Sequence, residues 1–311
     1  MNKSHKPSKS KKNKFKFIDL FAGIGGFHLA FHNEGGECVF ASEKDVFARK
    51  TYKENFKSIS PTLFSDDMFD SPLFNDDITN VDPSDIPDHD ILCAGFPCQP
   101  FSQAGHKKGF NEEREARGNM FFHIRDILQT KRPKAFFLEN VRHLQNHDTG
   151  RTFDVIKQIL QVELEYDIYY KIVKASDYGL PQHRPRIFII GFRKEDKYKE
   201  PFQFPNKKEL KFNMSDVWGG ECSREIGFTL RVGGKGSGID DRRNWDAYLV
   251  GGEIKRLGIE QGKKMMGFPY DFQFPVAKGQ AMKQLGNSVA VDAIQEVAKS
   301  IIKYIKSSKS S

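Results

Sequence analysis

Three short segments carry side chains able to act together on one substrate. A thiol stands at Cys98 in Gly95-Phe96-Pro97-Cys98-Gln99-Pro100-Phe101-Ser102, a carboxyl group at Glu139 in Phe137-Leu138-Glu139-Asn140-Val141, and two guanidinium groups in Gln182-His183-Arg184-Pro185-Arg186. Each segment adjoins an apolar run that reads as a buried strand. A thiol placed where a strand gives way to a Gly/Pro turn faces the crevice at the carboxyl edge of an α/β sheet, where ligands gather. Alone, such a cysteine reads as a half-buried structural residue. With a carboxyl group and a guanidinium at the ends of neighbouring runs, it becomes a nucleophile supplied with an acid and an anion clamp.

A fourth segment, Phe17-Ile18-Asp19-Leu20-Phe21-Ala22-Gly23-Ile24-Gly25-Gly26-Phe27, reads as strand, glycine turn and helix, with Glu43 ending the next strand. Glycines let a ligand approach the backbone, and a carboxylate at that offset accepts both hydroxyls of a ribose. The pattern therefore points to a nucleoside cofactor. A dinucleotide would require a third glycine three residues after Gly25, where this chain has His28, so NAD and FAD are disfavoured. Asp77, in Asn75-Asp76-Asp77-Ile78, reads either as a hydrogen-bond partner for an adenine amino group or as a loop residue or helix cap.

The elements that must position these groups alternate along the chain. Apolar runs at Phe15 to Leu20, Cys38 to Ser42, Ile91 to Ala94, Ala135 to Glu139, Tyr169 to Lys174 and Arg186 to Phe192 are interleaved with helical patterns such as Gly118 to Thr130 and Thr152 to Glu165. That rhythm predicts an α/β layer fold with a largely parallel sheet. An acidic loop over 56–76 interrupts it. From about residue 193 the chain becomes aromatic, basic and glycine-rich, as in a small loop-rich second lobe, and a helical pattern returns at Val289 to Lys306.

With 29% charged and 38% hydrophobic residues among 311, the composition is that of a soluble globular protein of two lobes. No apolar run approaches the roughly twenty residues of a membrane span, and the Lys- and Ser-rich start lacks the apolar core of a secretion signal. That start is expected to be a disordered basic tail over 1–14. The net charge of +8 suits a polyanionic partner, but part of it lies in the tail and in Lys299, Lys303, Lys306 and Lys309, so charge alone does not establish nucleic-acid binding. Cys38, Cys93, Cys98 and Cys222 form no Cys-x-x-Cys pair, which predicts a reducing cytoplasm and no metal.

Taken in order, Phe-x-Gly-x-Gly-Gly, Pro-Cys-Gln, Glu-Asn-Val, Gln-x-Arg-x-Arg and Gly-Asn-Ser-Val resemble the DNA (cytosine-5) methyltransferases, over blocks running from Phe17 to about Val289. In having a single catalytic lobe and one recognition lobe, the chain resembles the small bacterial enzymes of restriction–modification systems. The resemblance implies an α/β, Rossmann-like mixed sheet with helices on both faces, formed by 15–192 with 276–311, and a target-recognition domain over 193–275. It implies S-adenosyl-L-methionine as cofactor, with S-adenosyl-L-homocysteine as product. It also implies double-stranded DNA as partner, a monomer and no membrane, and leaves open whether a cognate restriction endonuclease acts on the same site.

By the same resemblance Cys98 adds to C6 of a flipped-out cytosine, because C5 is a poor nucleophile until the ring loses aromaticity. Glu139 would protonate N3, Asn140 would hold the local backbone, Arg186 would bind the cytosine O2 and orient Glu139, Arg184 would contact phosphate, and Gln99 would belong to the catalytic turn. The cofactor would lie against Phe21, Ala22, Gly23, Ile24, Gly25, Gly26, Glu43, Lys44, Asp77, Ile78, Pro97, Met120, Asn287, Ser288 and Val289. The stretch Gln99 to Arg117 would close over DNA. Ser102, Gln103, Lys107, Lys108, Arg117, Thr229, Arg231, Gly233, Gly234, Lys235, Arg242 and Arg243 would contact DNA, with Trp245 adding an aromatic ring beside the last of these. The Arg-bearing helix of the family would run from Lys255 through Gln261, where a glutamate is customary, and Lys44 stands where an aromatic is common. The RNA-acting branch of the family carries Cys-Phe-Thr where this chain has Gly227-Phe228-Thr229, so a transfer-RNA methyltransferase is the alternative, with an inactive DNA-binding homologue as a third reading.

Overall fold

The computed structural model describes residues 15–64, 71–97, 120–232 and 238–308. Strict alternation of side chains makes β1 (Phe15–Leu20) a central strand: Phe17 is buried on one face of the sheet, and Ile18 and Leu20 on the other. The same alternation continues in β4 (Ile91–Gly95), where Cys93 opposes Leu92 and Ala94, and in β5 (Ala135–Val141), where Phe137 opposes Phe136 and Leu138. Strands apolar on both faces must be covered twice. One layer contains α1 (Gly26–Asn33) and the long amphipathic α8 (Val291–Ile305), whose Ile294, Val297 and Ile301 are fully buried. The opposite layer contains α3 (Met120–Lys131) and α4 (Arg151–Gln158), through Phe121, Ile124, Leu128 and Ile156. Each such side chain contributes on the order of 2 kcal/mol by leaving water.

The remaining strands of the large sheet are β2 (Gly36–Ser42), β3 (Phe74–Asn75), β6 (Tyr166–Val173) and β7 (Arg186–Arg193), in the order β3-β2-β1-β4-β5-β7-β6. The pairings among β3, β2, β1, β4 and β5 are parallel, whereas β7 runs antiparallel to both β5 and β6. Two consequences follow for the site. Successive connections leave β1 in opposite directions, to β2 on one side and β4 on the other, which opens a crevice at their carboxyl ends. The reversed β7 places its first residue, Arg186, opposite Val141 at that same edge.

Beyond β7 the chain is loop-rich, with a short α5 (Met214–Trp218) and a hairpin of β8 (Ala247–Val250) and β9 (Glu253–Arg256). Lys255 and Arg256, expected on a helix, are strand residues. The helix α6 (Ile259–Met266) begins after Gly258, and the Gln261 side chain accepts a hydrogen bond from the Gly258 N–H at 3.1 Å. A glutamine therefore serves as a cap where a salt link was in question. A further helix, α7 (Lys278–Asn287), precedes α8 and was not apparent in the sequence pattern. Among the described residues no helix is long and apolar enough to cross a membrane, and no cluster of His, Cys, Asp or Glu could hold a metal ion.

Candidate active site

At the end of β1 the backbone turns through Phe21 (φ 54°), Gly23 (φ 57°) and Gly25 (φ 86°), three left-handed residues within five. Phe21 holds this conformation at a cost of about 1 kcal/mol, a form of local strain that gathers at ligand sites. The two glycines do different work. A Cβ on Gly23 would meet nothing within 4 Å, so the turn is open to a ligand there, whereas one on Gly25 would lie 2.2 Å from the Phe56 ring. As the residue preceding α1, Gly25 has no capping side chain, and Asp19 supplies the cap from β1 by accepting the His28 N–H at 3.2 Å. Asp19 is fully buried with Oδ1 unpaired, and burial raises its pKa well above the ordinary carboxylate value. His28, where a dinucleotide turn would need glycine, lies buried between the Tyr52 hydroxyl (2.6 Å) and the Ser60 hydroxyl (3.0 Å) and stacks on Phe56.

Glu43, at the end of β2, accepts the Gly23 N–H and the Asp45 N–H, each at 2.7 Å. Burial raises its pKa and those two donors oppose the rise. Asp45 caps α2 (Val46–Phe56) and reaches Lys283 of α7 at 3.4 Å. The next residue of α7, Gln284, is buried; its Oε1 takes the Thr51 hydroxyl at 2.9 Å while its Nε2 has no partner.

The opposite end of the cavity is built from strand ends. Glu139 pairs with Gly95 across β4 and β5, and its Oε1 lies 2.9 Å from Arg186 Nε. Burial raises the Glu139 pKa, while Arg186 and Arg184 pull it down. Asn140, 2% exposed, donates from Nδ2 to the Phe96 carbonyl at 2.9 Å and so ties β5 to the turn after β4. One cavity of about 460 Å³ runs from Phe21, Gly23 and Glu43 through Pro97 to Glu139, Asn140 and Arg186, with Lys283, Gln284 and Asn287 along one wall.

A family model of C-5 cytosine-specific DNA methylases matches residues 15–225 and 232–303. The chain belongs to that family. The methylase is 40% identical to the type II methyltransferase M.SsoII of Shigella sonnei over 94% of this chain and 82% of that protein. It is 36% identical to the type II methyltransferase M.HhaI of Haemophilus parahaemolyticus, over 92% and 94%. It shares its fold with a Spodoptera frugiperda DNMT2 mutant at a TM-score of 0.69 and 19% identity, covering 93% of this chain and 100% of that one. The protein is a methyltransferase that modifies C5 of cytosine in DNA.

Within the methylase, several expected residues occupy supporting positions. Arg184 was expected at a phosphate; it is 2% exposed and donates to the carbonyls of Leu230 (3.1 Å), Gly286 (3.0 Å) and Ser288. Its carbonyl shell lies inside the protein, where burial lowers its pKa. Gln182 is likewise buried, bonded to the Met265 carbonyl and the Leu230 N–H. Gln182 and Arg184 thus join the sheet to the later segments, and both arginines border the cavity. Ile78 is buried in the core on which Phe21 packs, and Met120 packs against the same core; Asp77 pairs with Lys44 at 2.7 Å and holds Thr79. Ala22 is nearly buried, and Val289 and Ser288 pack on Gly26. Thr229 and Arg231 line an adjoining groove, while Arg242 and Arg243 are exposed, the latter paired with Asp241. Trp245 is 7% exposed and belongs to the core, so it offers no ring beside them. Cys98, Gln99, Ser102, Gln103, Lys107, Lys108, Arg117, Gly233, Gly234 and Lys235 lie outside the described residues, as does the 1–14 tail. Sequence reasoning missed Lys283 and Gln284; their spacing of four and three residues from Asn287 on one helix was the available signal.

Proposed function

We propose that this methylase modifies a cytosine extruded from a short, specific double-stranded DNA site, with S-adenosyl-L-methionine as donor and a covalent Cys98–C6 bond as intermediate. One observation carries the reading: a single cavity joins the open glycine turn and Glu43 to the Glu139–Arg186 pair. The residues present fit the donor. Gly23 leaves room for a nucleoside, Glu43 offers carboxylate oxygens to a ribose, and the unpaired Gln284 amide and nearby Lys283 suit an amino-acid carboxylate. When bound, that donor supplies an electrophilic methyl group.

The chain's own groups prepare the base. Attack of the Cys98 thiolate on C6 pushes charge onto the ring, and a proton from Glu139 to N3 neutralises it, leaving C5 nucleophilic. The raised pKa of Glu139 favours the protonated acid that this step requires. Arg186 holds the carboxyl through Nε and keeps a terminal nitrogen free for the cytosine O2. After methylation, loss of the C5 proton and elimination of the thiol restore the aromatic ring. The family as a whole uses this cysteine chemistry; its assignment to these residues is the proposal.

Residues 193–275 would read the target, and the chain would act as a monomer; the likeness to proteins named type II methyltransferases supports a search for an endonuclease acting on the same site. Against an RNA substrate stands Gly227, at the position where the RNA-acting branch carries cysteine; an added Cβ there would lie 2.8 Å from the mobile ends of Met214 and Met265, which would have to shift to admit it. The test is a denaturation-resistant adduct with duplex containing 5-fluorocytosine, formed by the wild type with S-adenosyl-L-methionine and absent in Cys98→Ala. Normal methylation by that variant would end the mechanism.

A further inference from the structure

Two polar side chains of α2 are withdrawn from water, Arg49 at 2% exposure and Thr51 at 0%. A buried cation requires acceptors, and Arg49 finds them on two strands. Its terminal nitrogens donate to the carbonyls of Phe74 in β3, at 3.0 Å, and of Glu43 just past β2, at 3.4 Å, while its guanidinium carbon lies 4.4 Å from the centre of the Phe74 ring. The ladder joining those strands is slight: β3 is an edge strand of two residues, with Ala41 opposite Phe74 and Ser42 opposite Asn75. Arg49 thus locks together the strand ends that lead into Glu43 and Asp77.

Thr51 serves a different part of the same cavity. Its hydroxyl donates to Gln284 Oε1 at 2.9 Å, which leaves Nε2 of that amide as a buried donor with no partner among the described residues, on a side chain that borders the cavity. Such a donor is costly unless a ligand brings an acceptor. Asn55 clasps Gln273 ahead of α7, donating to its carbonyl at 2.9 Å and accepting its N–H at 2.8 Å, so α2 and the segment that leads to Gln284 are fixed to each other.

We propose that Arg49 and Thr51 are positioning residues for the methyl donor, Arg49 setting its adenosine end through Glu43 and the β3 edge, and Thr51 its amino-acid end through the Gln284 amide. Neither side chain lines the cavity. The inference rests on the donor assigned above and divides its recognition between two side chains of one helix.

Calorimetry of the full chain with two ligands separates the roles: S-adenosyl-L-homocysteine, and 5′-methylthioadenosine, which lacks the amino-acid group. Arg49→Met removes both donors and should weaken the two ligands by the same factor, about tenfold or more. Arg49→Lys, whose single ammonium cannot hold both strands as a fork does, should lose part of that affinity, and it stands in should Arg49→Met not fold. Thr51→Val should weaken S-adenosyl-L-homocysteine about fivefold and leave 5′-methylthioadenosine unchanged. In each variant the donor KM should rise while kcat at saturating donor stays within about twofold of wild type. Tyr166→Phe, which removes a bond to the Pro133 carbonyl at the far edge of the sheet, is the control for general loosening: a lower melting temperature with both affinities intact. Wild-type affinity in either Arg49 variant, or an equal loss in Tyr166→Phe, overturns the role of Arg49. Equal losses of the two ligands in Thr51→Val, or none, overturn that of Thr51. A wild type that binds neither ligand overturns the donor reading itself.

Discussion

The two ends of the catalytic cavity are made of different material. The donor end is mainly backbone: a turn with three left-handed residues, N–H groups held by Glu43, and a helix start capped from a neighbouring strand. The base end is side chain, an acid and a guanidinium brought to one sheet edge because β7 runs against β5. Backbone sites resist single substitutions except where a Cβ collides, whereas side-chain sites fail when one functional group is removed. Shape is kept at one end and reactivity at the other.

The sharpest way to test that division is Glu139→Gln, which keeps the size of the side chain and removes the proton. A fall in kcat of about a hundredfold or more is expected, with donor affinity by calorimetry unchanged. In the wild type the rate should decline as pH rises through a Glu139 pKa held above the usual carboxylate value, and this limb should vanish in the variant. A matching loss of donor affinity would show that the two ends are not separable.

Gly25→Ala attacks the other end. A side chain at φ 86°, 2.2 Å from Phe56, should cost roughly 2 kcal/mol or more, seen as a lowered denaturation midpoint, and should abolish donor binding. Retention of donor binding would contradict the backbone account of that end.

Acid should act through the buried His28. Its pKa is pushed well below 6.5 by burial, so the unfolded chain binds the proton first. Stability should therefore fall as pH drops below about 6.5, by up to about 1.4 kcal/mol per pH unit. Thermal melts of wild type and His28→Gln across that range should diverge, with the variant less dependent on pH.

The smallest effect belongs to Lys44→Ala. Its ion pair with Asp77 is solvent-exposed on the lysine side, so melting should be unchanged. Release of Asp77 should alter donor affinity by no more than a few-fold, and a large stability loss would show that the pair is structural.

The catalytic edge was legible because apolar runs stop at polar residues: Ala135 to Leu138 before Glu139, Ile91 to Ala94 before Gly95-Phe96-Pro97. Strands buried on both faces read as unbroken apolar runs and need no partner to be read. Arg184 was misread because a guanidinium in sequence looks like a surface cation, and only the fold shows carbonyls of distant segments enclosing it. Trp245 and Arg256 failed for a similar reason, since a loop-rich region has no period from which burial follows. The helix carrying Gln284 was hidden by Gly279 and Gly286, which weaken helical propensity, and by a buried polar residue on its inner face. The Cys98 turn and much of the expected DNA-contacting set fall outside the described residues, so the sequence remains their sole witness.

Arg184 also fastens the far end of the chain to the sheet edge. Its acceptors at Gly286 and Ser288 lie 102 and 104 positions later in the chain. A sequestered cation without such carbonyls is strongly unfavourable, so one guanidinium holds the wall bearing Asn287 against the strand that begins at Arg186.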